Sequence, residues 1–328
     1  MTEVSKKVEL LEPKMGIDIP YKLPKDYKVV TRVINYDNIN FHTSTIPATG
    51  TCKGKILILH GWCEHCDMYY RIMQYLSSIG YESFVYDQRG SGRTSLGRYR
   101  GRVGRSSSVV YKDLDKMIEV FKFGDKKDRT VTKSEEKFYL LGHSAGGGIA
   151  LNYMLDGKYK DLFTGIITTG PMIRIAENLT PSPIIEYALN FVATWFPYFP
   201  YGSINKDPNI RSTITTAEEW LDYLQQELLT QGNTTLGHIK SMFDRGYRLA
   251  NISPEEINVN HDLRLLTIHC ANDTMTSFKH SKKFFDKLPI KYKKFVEFEK
   301  GTHSLFIETD EIFKLTCEEI FEFLDDSN

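Results

Sequence analysis

The chain has 328 residues, of which 41% are hydrophobic and 26% charged, with 42 basic and 42 acidic side chains. That length suits one α/β core carrying an insertion, and the composition excludes a disordered chain. A net charge of zero leaves no global field for nucleic acid, so no nucleic-acid partner is expected.

Residues 1–26 are polar and dotted with prolines, and read as an N-terminal arm. "YKVVTRVINY" and "INFHTSTIP" predict the two strands of a hairpin, and "KILILHG" a buried parallel strand ending in glycine. Helical spacing with a glycine stop follows in "MYYRIMQYLSSIG". "YESFVYDQRG" reads as a strand, "VVYKDLDKMIEVFKFG" as a helix, "KFYLLGHS" as a strand, "GGGIALNYMLDG" as a helix and "FTGIITTGP" as the sixth strand. Strands alternating with helices at this spacing imply a mostly parallel sheet flanked by helices.

The alternation stops over residues 172–258, which read as helical or irregular with no clear strand. It resumes in "LRLLTIHC", "SFKHSKKFFDKLP", "KKFVEFEKG" and "IFKLTCEEIFEFLDD". The expected organisation is an α/β core over 27–171 and 259–328, interrupted after the sixth strand by a helical cap over 172–258.

The five cysteines, Cys52, Cys63, Cys66, Cys270 and Cys317, are sparse and odd in number, unlike a disulfide framework. The first residues carry no apolar run of a signal peptide, so a reducing intracellular compartment is expected. Cys63 and Cys66 form a single C-x-x-C; with no second pair, packing is the expected role and no metal site is expected.

The chemistry is clearest in "LLGHSAGG". Gly142-His143-Ser144-Ala145-Gly146 is a G-x-S-x-G between a strand and a helix. Glycines are needed there because the serine occupies a tight, strained turn that lifts its hydroxyl above the sheet. The Ala145 N–H, at the helix start, then points at a developing oxyanion.

A serine hydroxyl needs a histidine to take its proton and a carboxylate to orient that histidine. With an elbow of this kind the chain order is serine, acid, histidine. His303, in "EKGTHSLF", follows the last predicted strand and is the expected base. His269 lies within a strand and His280 within a helix, so both read as structural. Asp273, in "HCANDTMTS", follows a strand directly and is the expected acid; capping the next helix is the alternative. All three residues are expected on surface loops. The second oxyanion donor is expected after an early strand, where "LILHGWCEH" offers the Trp62 N–H.

With "HGWCEH", "YDQRGSGRTS", "GHSAGGGI", "AND" and "GTHS" in this order, the sequence resembles the α/β-hydrolase family, and within it the fungal monoacylglycerol lipases. The resemblance implies the α/β-hydrolase fold, with Ser144 as nucleophile, Asp273 as acid, His303 as base, and the N–H groups of Trp62 and Ala145 as oxyanion donors. It also implies hydrolysis of monoacylglycerols to glycerol and fatty acid, without a cofactor. Two positions depart from the family: Ala145 stands where methionine is usual, and Trp62 is bulkier than the common small residue. Both donate through backbone, so the departures bear on the acyl pocket and leave chain-length preference open. The same residues would also serve a lysophospholipid, a fatty acyl ethyl ester, a simple carboxylester or acyl transfer. A non-catalytic binding protein on this fold is the alternative from another class.

"IIEYALNFVATWFPYFPY" lies in the implied cap and is almost wholly apolar. Glu186, Asn190 and Thr194 recur every four residues, giving a helix one narrow polar stripe. Two readings stay open: a cap helix buried on the core, or a lid in which Phe191, Trp195 and Phe196 meet lipid. The second implies peripheral contact with a membrane or lipid-droplet surface. Arg89, Arg93, Arg98, Arg100, Arg102 and Arg105 crowd one loop, read as solvated and salt-bridged. Nothing in the sequence sets an oligomeric state.

Overall fold

A computed structural model describes residues 16–103, 108–124, 136–201, 211–230 and 234–325. β1 (Val30–Tyr36) and β2 (Ile39–Ile46) form the expected antiparallel hairpin. The reversal falls on Asp37 and Asn38, at φ 51° and 59°. Short Asp and Asn side chains tolerate the left-handed region that a two-residue hairpin turn demands.

β3 (Gly54–Leu59), α1 (Tyr70–Ser78), β4 (Tyr81–Tyr86), α2 (Val109–Ile118), β5 (Lys137–His143), α3 (Ala145–Asp156) and β6 (Gly165–Thr169) follow. Then come α4 (Pro183–Trp195), β7 (Pro200–Tyr201), α5 (Glu218–Gln226), β8 (Thr234–Thr235) and α6 (Leu236–Asn251). β9 (Arg264–Cys270), α7 (Phe278–Lys287), β10 (Tyr292–Phe298) and α8 (Asp310–Leu324) complete the order.

Eight strands make one sheet in the order β1-β2-β4-β3-β5-β6-β9-β10. β1 and β2 run antiparallel, and every pairing from β4 to β10 is parallel. This is the α/β-hydrolase fold that the sequence implied. Its all-apolar strands are explained by helices on both faces. Leu57 and Leu59 point into one core layer with Leu140 and Ile149, while Ile56 and Ile58 point into the other with Leu141 and Ile167. Each such burial contributes roughly 1.5–3 kcal/mol, which favours a strand with no solvent face at all.

Between β6 and β9 the chain is mainly helical, but not wholly. β7 and β8 pair antiparallel, Pro200 opposite Thr235, a ladder of two-residue strands too short to leave a sequence pattern. α5 buries Trp220, Tyr223 and Leu224 in the core layer beside α1. α6 rests on the chain leaving β6: a Cβ on Gly246 would lie 2.4 Å from the Ile173 carbonyl oxygen, so only glycine permits that approach. Asn152 of α3 also donates to the Arg245 carbonyl at 3.2 Å.

α4 behaves differently. It packs on α6 around the buried Ala193, yet Ile184, Tyr187, Phe191 and Trp195 are 83%, 77%, 58% and 68% exposed. Phe196, Tyr198 and Phe199 continue this apolar surface beyond the helix. Among the described residues, no helix is long and apolar enough to cross a membrane.

Candidate active site

Ser144 joins β5 to α3 at φ 52°, ψ −117°, a conformation rarely adopted by a residue with a Cβ. The surroundings hold it there. Ser144 N–H donates to the Thr169 carbonyl at 3.0 Å, and its own carbonyl accepts from Gly148 N–H at 3.0 Å and Met172 N–H at 2.8 Å. The flanking glycines are obligatory: a Cβ on Gly142 would meet the Gly146 oxygen at 2.5 Å, and one on Gly146 the Leu59 oxygen at 2.2 Å.

His303 arrives on the segment after β10. Its Nε2 lies 2.8 Å from Ser144 Oγ and its Nδ1 2.8 Å from Asp273 Oδ2. With the carboxylate facing Nδ1, the proton sits there, leaving Nε2 free to accept from the serine. All three residues are buried, not on surface loops as expected, because chain from the region after β6 covers them. His303 N–H and Ser304 N–H, for instance, donate to the carbonyls of Thr213 and Ile214 at 3.3 and 2.9 Å.

Asp273 Oδ1 accepts from the N–H groups of Met275 at 2.7 Å and Thr276 at 2.9 Å, which tie it into its own turn. It does not cap α7, where the Ser277 hydroxyl instead accepts from His280 N–H at 3.4 Å. Burial pushes the Asp273 carboxyl up, but His303 and His269 outweigh it and hold the group well below the usual carboxylate range. Burial pushes His303 down, and the Asp273 carboxylate more than offsets this, leaving His303 raised.

The remaining histidines fall outside the base position. His143 points into the core, with Nδ1 3.0 Å from Thr169 Oγ1 and Nε2 3.1 Å from Ser304 Oγ; burial pulls it down to about 4. His238 is half-buried, and desolvation pulls it down to about 3, while His261 is exposed, its Nδ1 2.6 Å from the Pro289 carbonyl oxygen. His280 pairs with Ser277 at 2.9 Å. His269, read from sequence as structural, faces the acid itself: its Nε2 is 3.2 Å from Asp273 Oδ2.

The loop after β3 is built to aim one peptide. His60 Nε2 accepts from Gln88 N–H at 2.8 Å, so its proton is on Nδ1, which donates to the Gly61 carbonyl at 2.7 Å. The planar peptide then turns the Trp62 N–H the opposite way. Among the described residues neither Trp62 N–H nor Ala145 N–H has an acceptor. Glu64, buried beneath, accepts from Gly61 N–H at 2.6 Å and from the Tyr69 hydroxyl. Burial would raise Glu64, yet it is lowered, because the neighbouring His143, the Tyr69 hydroxyl and the Gly61 N–H together outweigh burial.

Asp87, buried after β4, accepts from Cys66 N–H at 2.7 Å and Arg93 N–H at 2.6 Å, and stays ionised with a pKa of about 2 despite burial. It joins the loops after β3 and β4. Sequence reading passed over Glu64, Asp87 and the His60 side chain, although each is a polar residue where an apolar strand ends. Burial pushes the Cys63 thiol up to about 12 and Cys66 well above its ordinary value, and all five cysteines are free. Cys66 packs in the core layer beside α1, whereas Cys63 is half-buried and belongs to no core cluster among the described residues.

Ala145, Met172 and Met242 form a small apolar cluster beside the serine, against which Trp62, Ile175 and Phe243 pack. Two arginines of this loop, Arg89 and Arg93, are paired with carboxylates from outside it. Arg89 is bidentate on Asp113, Arg93 on Asp67, and Arg100 donates to the Leu228 carbonyl. Arg102 lies over the Tyr198 ring. Arg105 and the Arg98 side chain lie outside the described residues.

Fold and site together define a serine hydrolase with the α/β-hydrolase fold, an ester hydrolase by its relatives. The family profile described as serine aminopeptidase S33 matches residues 50–310, and the chain belongs to that family. It is 29% identical over 318 residues to the monoglyceride lipase of Saccharomyces cerevisiae, covering 92% of this chain and 96% of that protein. A putative monoglyceride lipase of Schizosaccharomyces pombe is 28% identical over 83% of this chain and 65% of its own length. The crystal structure of a soluble variant of the S. cerevisiae monoglyceride lipase, in complex with a substrate analog, superposes with a TM-score of 0.82 at 28% identity, covering 93% of this chain and 97% of that one.

Proposed function

We propose that the protein is a monoacylglycerol lipase, hydrolysing the ester of a monoacylglycerol to glycerol and a fatty acid. The observation that carries the chemistry is the line from Ser144 Oγ through His303 to Asp273, with 2.8 Å at each step. The likeness to a monoglyceride lipase across nearly the whole of both chains supports the substrate.

Ser144 Oγ attacks the acyl carbonyl as its proton passes to His303 Nε2. Asp273 holds the ring and stabilises the imidazolium. The tetrahedral oxyanion rests on the N–H groups of Trp62 and Ala145, which have no acceptor among the described residues and are therefore available. Collapse expels glycerol, which takes the proton from His303. A water then loses a proton to the same nitrogen as it attacks the acyl-serine; collapse releases the fatty acid, and Ser144 Oγ takes the proton back from His303. Every proton is handled by side chains of this chain.

Residues 172–258 act in this reading as the cap, and Phe191, Trp195 and Phe196 form its lipid-access surface. Their exposure supports that role, since a monomeric protein rarely presents so continuous an apolar patch to water. The protein would then work inside the cell, docked peripherally on a membrane or lipid droplet.

A turnover panel of monoacyl-, diacyl- and triacylglycerol and lysophospholipid with matched acyl chains tests the substrate. The highest kcat/KM is expected on monoacylglycerol. Faster turnover of lysophospholipid, or of a simple ester alone, would overturn that assignment.

A further inference from the structure

His269 is a fully buried histidine in β9, four residues before the acid. Its Nε2 is 3.2 Å from Asp273 Oδ2 and 3.3 Å from Thr276 Oγ1, while its buried Nδ1 has no partner among the described residues. The edge of the ring packs against Phe278, with centroids 5.6 Å apart. In the neutral ring the proton therefore sits on Nε2, the nitrogen that faces an acceptor. Asp273 Oδ2 is thus approached by two histidines, together with the Thr276 hydroxyl at 2.8 Å.

We propose that His269 is a positioning residue for the hydrolytic reaction: its Nε2–H fixes the Asp273 carboxylate in line with His303 and shares its negative charge. This rests on the proposed roles of Ser144, Asp273 and His303. A carboxylate held only by its own turn could pivot about Cβ–Cγ, and the second histidine removes that freedom. It also tempers the field felt by His303. The other groups facing His303 are Thr276, Ser144, His143 with ring centroids 4.9 Å away, and Glu64, whose charge also raises it. Those facing His269 are Asp273 and Thr276.

Removing the donor concentrates charge on Asp273 and stabilises the His303 imidazolium. The base is then neutral only at higher pH. His269→Leu is expected to lower kcat by about 10- to 100-fold, the worth of one hydrogen bond to a charged group, with KM little changed. The acidic limb of its pH–rate profile should move to higher pH by about half a unit or more. His269→Gln, whose amide nitrogen reaches the same oxygen, should recover most of kcat and return the limb. His269→Asn, one methylene shorter, should not. Thermal unfolding and active-site titration with a fluorophosphonate establish folding and active fraction for each. Should His269→Leu unfold, the Gln–Asn comparison decides alone. An unmoved limb with normal kcat in His269→Leu, or equal impairment in Gln and Asn, would overturn the proposal. Full turnover by Asp273→Asn would instead remove the reading on which it rests.

Discussion

His303 Nε2 lies 2.8 Å from Ser144 Oγ, although 159 positions of sequence separate the two residues. The contact exists because β5 and the segment after β10 end at the same edge of one parallel sheet, and the strained turn at Ser144 lifts its hydroxyl into that edge. Ser144→Ala, Asp273→Asn and His303→Ala are each expected to lower turnover by about 10⁴-fold or more, and not to combine additively. Asp273→Asn should also lower the melting temperature, because His269 and Thr276 lose their ionised buried acceptor. Steady-state kinetics with thermal unfolding on all variants checks both effects. Near-normal turnover in Asp273→Asn would mean the acid is misassigned.

The pH dependence follows from the raised His303. General-base catalysis needs its neutral form, so activity should rise with pH through an apparent pKa above the ordinary 6.5. Stability has a different profile. His143, at about 4, and His238, at about 3, are depressed in the folded state, so the unfolded chain takes up their protons first. Stability is therefore lost as pH falls from about 6.5 toward 4. The His303 contribution has the opposite sign: it is complete below 6.5 and lost as pH rises through the folded value. Melting temperature followed from pH 4 to 9 should peak near the histidine range; a monotonic rise on acidification would contradict these assignments.

Gly146→Ala tests the elbow sterically. Its Cβ would sit 2.2 Å from the Leu59 carbonyl oxygen, a backbone atom of β3 that cannot swing aside. A cost of about 1–3 kcal/mol or more is expected in denaturant unfolding, with loss of activity as β3 and the oxyanion loop shift. A stable, active Gly146→Ala enzyme would show that the close approach is not required.

Most of the fold was legible because its strands are bounded apolar runs and its turns carry glycine. Ser144, Asp273 and His303 could be placed since each follows a strand, and strand ends converge in a parallel sheet. Glu64, Asp87 and His269 were not legible as site residues. Their work depends on partners far off in sequence or on side-chain direction: Asp87 binds Cys66 and Arg93, and His269 turns toward Asp273 from inside a strand. The burial of the site was missed for the same reason, since Thr213 and Ile214 reach it from the region between β6 and β9. β7 and β8 were too short to show a period.

The exposed face of α4 gives a prediction on lipid access. Phe191→Glu with Trp195→Glu should spare the melting temperature, because both side chains face solvent. A small soluble ester can still diffuse to Ser144, but a long-chain monoacylglycerol must leave a bilayer along an apolar path. A carboxylate there costs up to about 2.5–3.5 kcal/mol at full membrane depth and less at an interface. Selective loss on dispersed long-chain substrate, with weaker liposome binding, is expected. Equal loss on both substrates with a large drop in melting temperature would make α4 a structural element instead.

The most direct measurement follows glycerol release from a long-chain monoacylglycerol while a fluorophosphonate titrates the enzyme, with the adduct located by peptide mass. One phosphonyl group on Ser144 should abolish glycerol release in proportion to its occupancy, and Ser144→Ala should neither label nor turn over. Undiminished monoacylglycerol hydrolysis by Ser144→Ala, or wild-type enzyme that labels at Ser144 but releases no glycerol, would contradict the account.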